Sequence, residues 1–339
     1  MRTIRTVLFA VLLASSAAHG DEAVRAATLS AQSASTGAGG SFAPAFSADG
    51  QFVVFVSQAH NLVTNDTPTA NLAVFVRDLA RRQTSLMSVD ASGFGGPDAD
   101  ANQPSISSNG QFVAFASAAG NLVPNDNNHA CDVFVRDTMA GTTTLASADT
   151  NGLSPSVRAE GSTHPLLSAD GRWVFFDSLA RSLVTNADSA VTGDVFARDL
   201  QAGVTRLVSV NRSGTAGLNP SEDSTLLAIT PDGRFAAFAS KALDLVAGTV
   251  PGRNELFVRD LATETTTWAS SNVASLAGFG ATYTVLSAVL SADGRWVVFK
   301  AAATTTATLA SVFRHGRGQR SARPACRRNP RLHQFLRLR

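Results

Sequence analysis

The chain has 339 residues, 44% of them hydrophobic and 16% charged, and a formal net charge of +2. That balance belongs to an ordinary globular chain and excludes a disordered or collagen-like one. Two cysteines, Cys131 and Cys326, exclude a scaffold built on disulfides, although one bridge between them is an open alternative.

Taken in order, residues 1–20 read as a secretion signal. Arg2 and Arg5 form the charged start, Val7 to Ala14 the apolar core, and Ala18-His19-Gly20 a small-residue cleavage site. The apolar run is short for crossing a bilayer; an uncleaved anchor is the alternative. The expected location is periplasmic or extracellular, with no membrane span in the mature chain.

From residue 42 one pattern recurs. Asp49-Gly50, Asn109-Gly110, Asp170-Gly171, Asp232-Gly233 and Asp293-Gly294 are spaced by 60 to 62 residues. Each lies between two runs of strand formers: PAFS, PSIS, PLLS, LAIT and AVLS before it, QFVVFVS, QFVAFAS, RWVFFDS, RFAAFAS and RWVVFKA after it. Asp-Gly or Asn-Gly between such runs predicts a two-residue hairpin turn, because Gly accepts positive φ without steric cost. A second signature follows: Phe75–Asp78, Phe134–Asp137 and Phe257–Asp260 read FVRD, and Phe196–Asp199 reads FARD. Each is followed by a short turn and a fourth strand, with the Asp as turn-former. Fixed-period self-similarity signals a repeat architecture. Strands apolar nearly throughout imply burial on both sheet faces. Four strands per period, covered on both sides, are the blade of a β-propeller.

The expected fold is therefore all-β, a propeller of about five four-stranded blades over residues 21–316. The repeats run at about 42–102, 103–163, 164–224, 225–285 and 286–316. Residues 25–32 resemble the fourth-strand segments, so the N-terminal strand is expected to close the last blade and remove an open edge. Residues 317–339 read as an Arg-rich disordered tail. From Arg314 onward there are nine arginines and no acid, which leaves 19 basic groups against 26 acids in the rest of the chain. The tail reads either as a basic arm or as the product of a reading-frame change, since the break falls inside the repeat motif.

The motif P-x-[FIL]-S-x-D-G-[QR]-[FW]-V-x-F-x-S followed by an FVRD strand resembles the TolB-like, WD-like propeller repeat of secreted and periplasmic bacterial proteins. The resemblance covers roughly residues 25–316. It implies a platform that binds a protein or another envelope component, acting as a monomer, with no nucleic acid partner. It also implies that the strand before each Asp-Gly is the innermost. No Gly-x-Ser-x-Gly elbow is present.

Acids cluster just before the inner strands: Asp98, Asp100, Glu160, Glu222 and Asp223, with His164 at the start of one. They would ring the mouth of the channel. The alternative to a binding surface is a carbohydrate-active hydrolase or lyase working through paired carboxylates there. The loop between second and third strands also repeats, anchored by Leu62, Leu122, Leu183 and Leu245. Its second copy carries Asp126, Asn128 and Asp132, an oxygen-rich set that loosely resembles a calcium loop but lacks the full motif. No other cofactor is expected. The candidate binding face thus joins Asp98, Asp100, Asp126, Asn128, Glu160, His164, Glu222 and Asp223; no catalytic set is assigned.

Overall fold

The computed structural model describes residues 39–64, 71–124, 126–155, 161–186, 192–216, 224–248, 250–275, 283–303, 310–316 and 323–324. They form five four-stranded antiparallel sheets, the blades of a β-propeller. The first blade holds β1 (Ser41–Phe46), β2 (Phe52–Ser57), β3 (Ala73–Asp78) and β4 (Gln83–Leu86); the second holds β5 (Ala101–Ile106), β6 (Phe112–Ser117), β7 (Asp132–Asp137) and β8 (Thr142–Leu145). The third holds β9 (Ser162–Leu167), β10 (Trp173–Ser178), β11 (Asp194–Asp199) and β12 (Val204–Leu207); the fourth holds β13 (Thr225–Ile229), β14 (Phe235–Ser240), β15 (Glu255–Asp260) and β16 (Thr265–Trp268). The fifth holds β17 (Tyr283–Leu290), β18 (Trp296–Ala303), β19 (Ala310–Gly316) and β20 (Arg323–Pro324). The only helix among the described residues is a 3₁₀ turn at Val273–Ser275, so none is long and apolar enough to cross a membrane.

The apolar runs of the second, third and fourth blades are buried on both faces because each of these sheets lies between two others. Val54 and Val56 pack with Val113 and Phe115 of the next blade, while Val53 and Phe55 belong to a cluster on the opposite face. The same alternation joins Ala114 to Phe176, Phe175 to Phe238, and Ala237 to Phe299 at the following junctions. Within a blade, Phe55 stacks on Phe75, Phe115 on Phe134, Phe176 on Phe196 and Phe238 on Phe257, with ring centroids 5.8–5.9 Å apart. Such pairs add about 0.5–1.5 kcal/mol beyond their area burial.

The Asp-Gly turn is longer than the two-residue hairpin expected. The Ser47 N–H donates to Phe52 O at 3.0 Å and the Gly50 N–H to Ser47 O at 2.9 Å, so four residues lie between the paired ends. The Ser47 hydroxyl accepts from the Phe52 N–H at 3.0 Å and donates to Asp49 Oδ1, which also accepts from the Gln51 N–H. Ser107/Asn109, Ser168/Asp170, Thr230/Asp232 and Ser291/Asp293 repeat this clamp. The Asp is a side-chain acceptor inside the turn rather than one of two tip residues.

The Gly has a second duty. A Cβ at Gly110 would strike the ring of Phe52, at Gly171 that of Phe112, and at Gly294 that of Phe235, in each case the aromatic opening the second strand of the preceding blade. Gly233 meets Trp173 in the same way. At Gly50 the space is open among the described residues.

The last blade differs from expectation at its edge. Beside β19 lies β20, pairing Phe313 with Pro324 and Arg314 with Arg323. Two residues of the stretch read as a disordered tail are therefore strand, and they occupy the place foreseen for the N-terminal strand; residues 25–32 lie outside the described residues. An unpaired edge seeks backbone partners, and Pro is tolerated on an outermost strand because its missing N–H is not needed there.

Two stability predictions follow from these contacts. Gly50→Ala forces a left-handed φ of 69° on a residue with a Cβ and is expected to cost about 1–2 kcal/mol. Gly171→Ala, at φ 73°, adds the collision with Phe112 and is expected to cost at least about 1 kcal/mol more. Urea unfolding of the two variants measures the difference; equal losses would remove the ring-on-glycine contact from the account.

Candidate functional site

Inner strands and the loops at one end of the blades position the candidate residues. The sheet order places β1, β5, β9, β13 and β17 at one edge of their sheets, and they neighbour one another in sequence. This agrees with the innermost placement that the repeat implies. Lateral bonds tie them: Ser108 N–H to Ala169 O at 2.9 Å and Leu167 N–H to Ser105 Oγ at 3.0 Å. Each inner strand carries a register shift against its neighbour. In three blades a residue just before proline adopts a left-handed φ there: Ala43 at 51°, Gln103 at 52° and His164 at 54°. Such non-Gly conformations cost free energy and persist where the surroundings over-determine them.

His164 is over-determined. Its N–H donates to Gln103 Oε1 of the preceding blade at 2.9 Å, and its Nδ1 lies 3.3 Å from Asp177 Oδ2. The hydrogen bond with Asp177, and then its charge, hold the imidazole above the ordinary histidine range against the opposing effect of burial. The other oxygen of Asp177 accepts the Leu226 N–H of the next blade at 2.8 Å. Asp177 thus connects the third and fourth blades. It was missed in the sequence, although it interrupts an apolar run whose equivalent positions are Val56, Ala116 and Ala239.

A second group gathers Asp98, Asp100, Asp126 and Asn128 around the junction of the first two blades and the loop beyond. Asp98 and Asp100 are exposed. The Asp98 N–H donates to Asn121 Oδ1 at 3.1 Å, and Asp100 Oδ1 accepts the Leu72 N–H at 2.8 Å. Asn128 Nδ2 donates to Asp132 Oδ2 and to Pro155 O, both at 2.9 Å, while its Oδ1 accepts the Ala130 N–H. Asp132, fully buried, also accepts the Ser147 hydroxyl at 2.6 Å. Burial pushes its carboxyl up to about 6, helped by the nearby charge of Asp126. Asp126 is itself 3% exposed, and neither oxygen has a hydrogen bond of good geometry. The Asn128 N–H and the Ser154 hydroxyl offset only part of its burial cost, so its carboxyl is also raised.

Of the expected face, the structure describes Asp98, Asp100, Asp126 and Asn128 around the first two blades, and His164 on β9, where its N–H reaches Gln103 of the second blade. Glu160, Glu222 and Asp223 lie outside the described residues. For the calcium reading, both Asp132 oxygens already accept hydrogen bonds, and no cluster of three or more His, Cys, Asp or Glu that could hold a metal occurs among the described residues.

A third polar centre was not foreseen. Glu255, fully buried, accepts Arg253 Nε at 2.7 Å, Trp268 Nε1 at 3.1 Å and the hydroxyls of Ser270 and Tyr283. The Arg253 guanidinium lies 4.4 Å from the centre of the Tyr283 ring. Glu255 stands where Asp132 and Asp194 stand in the preceding blades, each accepting the hydroxyl of a serine just past the fourth strand. The extra partners join the fourth blade to the fifth.

These sheets and loops define an all-β propeller protein with a polar loop face. Among solved structures it is similar to TolB from Acinetobacter baumannii, at 15% identity and TM-score 0.44 over 82% of this chain and 52% of that one. A putative TolB from Agrobacterium tumefaciens gives 14% identity and TM-score 0.47 over 84% and 80% of the two chains. An oligogalacturonate lyase from Vibrio parahaemolyticus gives 10% and 0.47 over 82% and 63%. The chain thus spans about half the length of the Acinetobacter TolB. No protein-family model matches the sequence, and no curated protein matches it significantly.

Asp132 and His164 share one sign of linkage. Both have folded pKa values above their unfolded ones, so the stability they contribute is present at low pH and lost as pH rises through the folded values. The melting temperature is expected to fall through Asp132 as pH rises from about 4 to about 6, and through His164 as it rises above 6.5. NMR titration should place the Asp132 carboxyl near 6, and Asp177→Asn should lower the His164 midpoint; a midpoint unmoved by that substitution contradicts the pairing. Separately, Arg253→Ala leaves Glu255 buried without its cation and is expected to cost about 3 kcal/mol in chemical unfolding.

Proposed function

We propose that the protein is an exported, non-enzymatic β-propeller that captures a protein or another envelope component on the face carrying Asp98, Asp100, Asp126 and Asn128. The observation that carries this reading is the cross-bracing of the loops. Asn71 Nδ2 donates to Pro97 O, and Asn121 Nδ2 to Gly96 O, both at 3.1 Å. With the Asp100–Leu72 and Asn128–Pro155 bonds, the loops of neighbouring blades become a stiff surface bearing exposed carboxylates. A pre-organised face loses little conformational entropy on binding, which favours affinity. Glu160, His164, Glu222 and Asp223 extend the same face in this proposal. The protein works as a monomer in the periplasm or outside the cell, without a cofactor, and an acidic face repels nucleic acid.

The test is capture from an envelope extract by the tagged full chain, with and without Asp98→Ala, Asp100→Ala and Asn128→Ala combined. Recovery of the captured component is expected to fall at least about tenfold, a loss of roughly 1.4 kcal/mol or more. Equal recovery overturns the assignment of this face. Turnover of a polysaccharide by the wild-type chain would replace binding with carbohydrate chemistry.

A further inference from the structure

Departures from an internal repeat separate what the fold needs from what one blade adds. The cleft between the third and fourth blades collects three such departures, all of one electrical sign. It is a cavity of about 790 Å³ between β12 with its following loop, the β14–β15 loop, and β16, within the range of about 300–1,000 Å³ that small-ligand sites occupy.

Strand register identifies the equivalents. Arg206 pairs with Ala197 where Ser85 pairs with Val76, Thr144 with Val135 and Thr267 with Val258. The Arg212 N–H donates to Asp244 O as the Ala91 N–H does to Asn121 O and the Thr150 N–H to Ser182 O. Asn211 closes its loop through Thr215, as Asp90 does through Gly95 and Phe94 and Asp149 through Leu153. Two neutral positions have become arginine, and one acid has become an amide. The bonds that build the blade are the same without these changes, so the fold does not require them.

The charges are also placed for use. Arg206 and Arg212 are exposed on the cleft wall. The Arg206 guanidinium is steadied over the Trp173 ring, 5.6 Å from its centre. A third guanidinium, Arg259, is engaged with Thr266 at 3.1 Å, as its equivalents are in the other blades, and adds positive potential from behind. Two acids are near. Glu264 lines the cleft beside Arg259, and the Asp244 carboxylate accepts the Asn211 amide at 2.8 Å.

We propose that this cleft is an anion-binding site, on different blades from the Asp98–Asn128 surface, for a small ligand carrying two carboxylate or phosphate groups that bridge Arg206 and Arg212. Planar guanidinium groups match both kinds of oxyanion through paired hydrogen bonds. Because both arginines are solvent-exposed, the binding weakens as salt rises.

Calorimetric titration of the full chain at low ionic strength, with citrate and separately with inorganic pyrophosphate, tests the site. One-to-one binding of at least one probe is expected, and the better probe tells carboxylate from phosphate. The double variant Arg206→Ser, Arg212→Ala, which restores the residues of the first repeat, should weaken binding at least about tenfold with an unchanged melting temperature. A charge-matched control, Lys241→Ala with Arg295→Ala, should bind as the wild type does. Absence of binding by both probes overturns the site. So does an undiminished cleft variant, or a control that loses as much.

Discussion

The central strands carry two apolar faces, and at each described junction the next blade covers one of them. The clusters at the described junctions mix residues from consecutive sheets, such as Val54 with Phe115 and Ala237 with Phe299. A single four-stranded sheet of this sequence would expose one Phe/Val face or the other to water, so cooperativity comes from stacking. The constraint reaches down to single atoms. Where the ring of Phe112 crosses the chain at Gly171, there is no room for a Cβ.

Most of the repeated polar residues serve that frame. Ser and Asp of the turn clamp each other and the turn N–H groups. The FVRD aspartates accept turn N–H groups and, in the third and fourth blades, also the guanidiniums of Arg172 and Arg234. The arginine before each donates to a threonine on the fourth strand. Side chains committed in this way in blade after blade, from the first to the fourth, are poor candidates for recognition. Individual character lies in positions that one blade alone has changed, namely Asp177, Glu255 and the Arg206–Arg212 pair.

Equivalent loops on different blades differ in how they treat charge. On the loop face, carboxylates are partly withdrawn from water, and burial raises the pKa of Asp126 and Asp132. In the cleft between the third and fourth blades, guanidiniums stand in solvent with few acids to neutralise them.

Local pattern alone determined the strands, their period, the glycine turns, the burial of the Phe/Val runs and the leucine anchors, of which Leu62, Leu122, Leu183 and Leu245 are all buried. These features depend on neighbours in the chain or on alternation within a strand, and five near-copies repeat the signal. The tertiary structure decided what depends on distant partners. It set Arg323–Pro324 against β19 in the last blade. It also joined His164 to Gln103, 61 residues away, and to Asp177. Which carboxylate meets water, as Asp98 and Asp100 do and Asp126 and Asp132 do not, is settled by packing between blades and not by spacing along the chain.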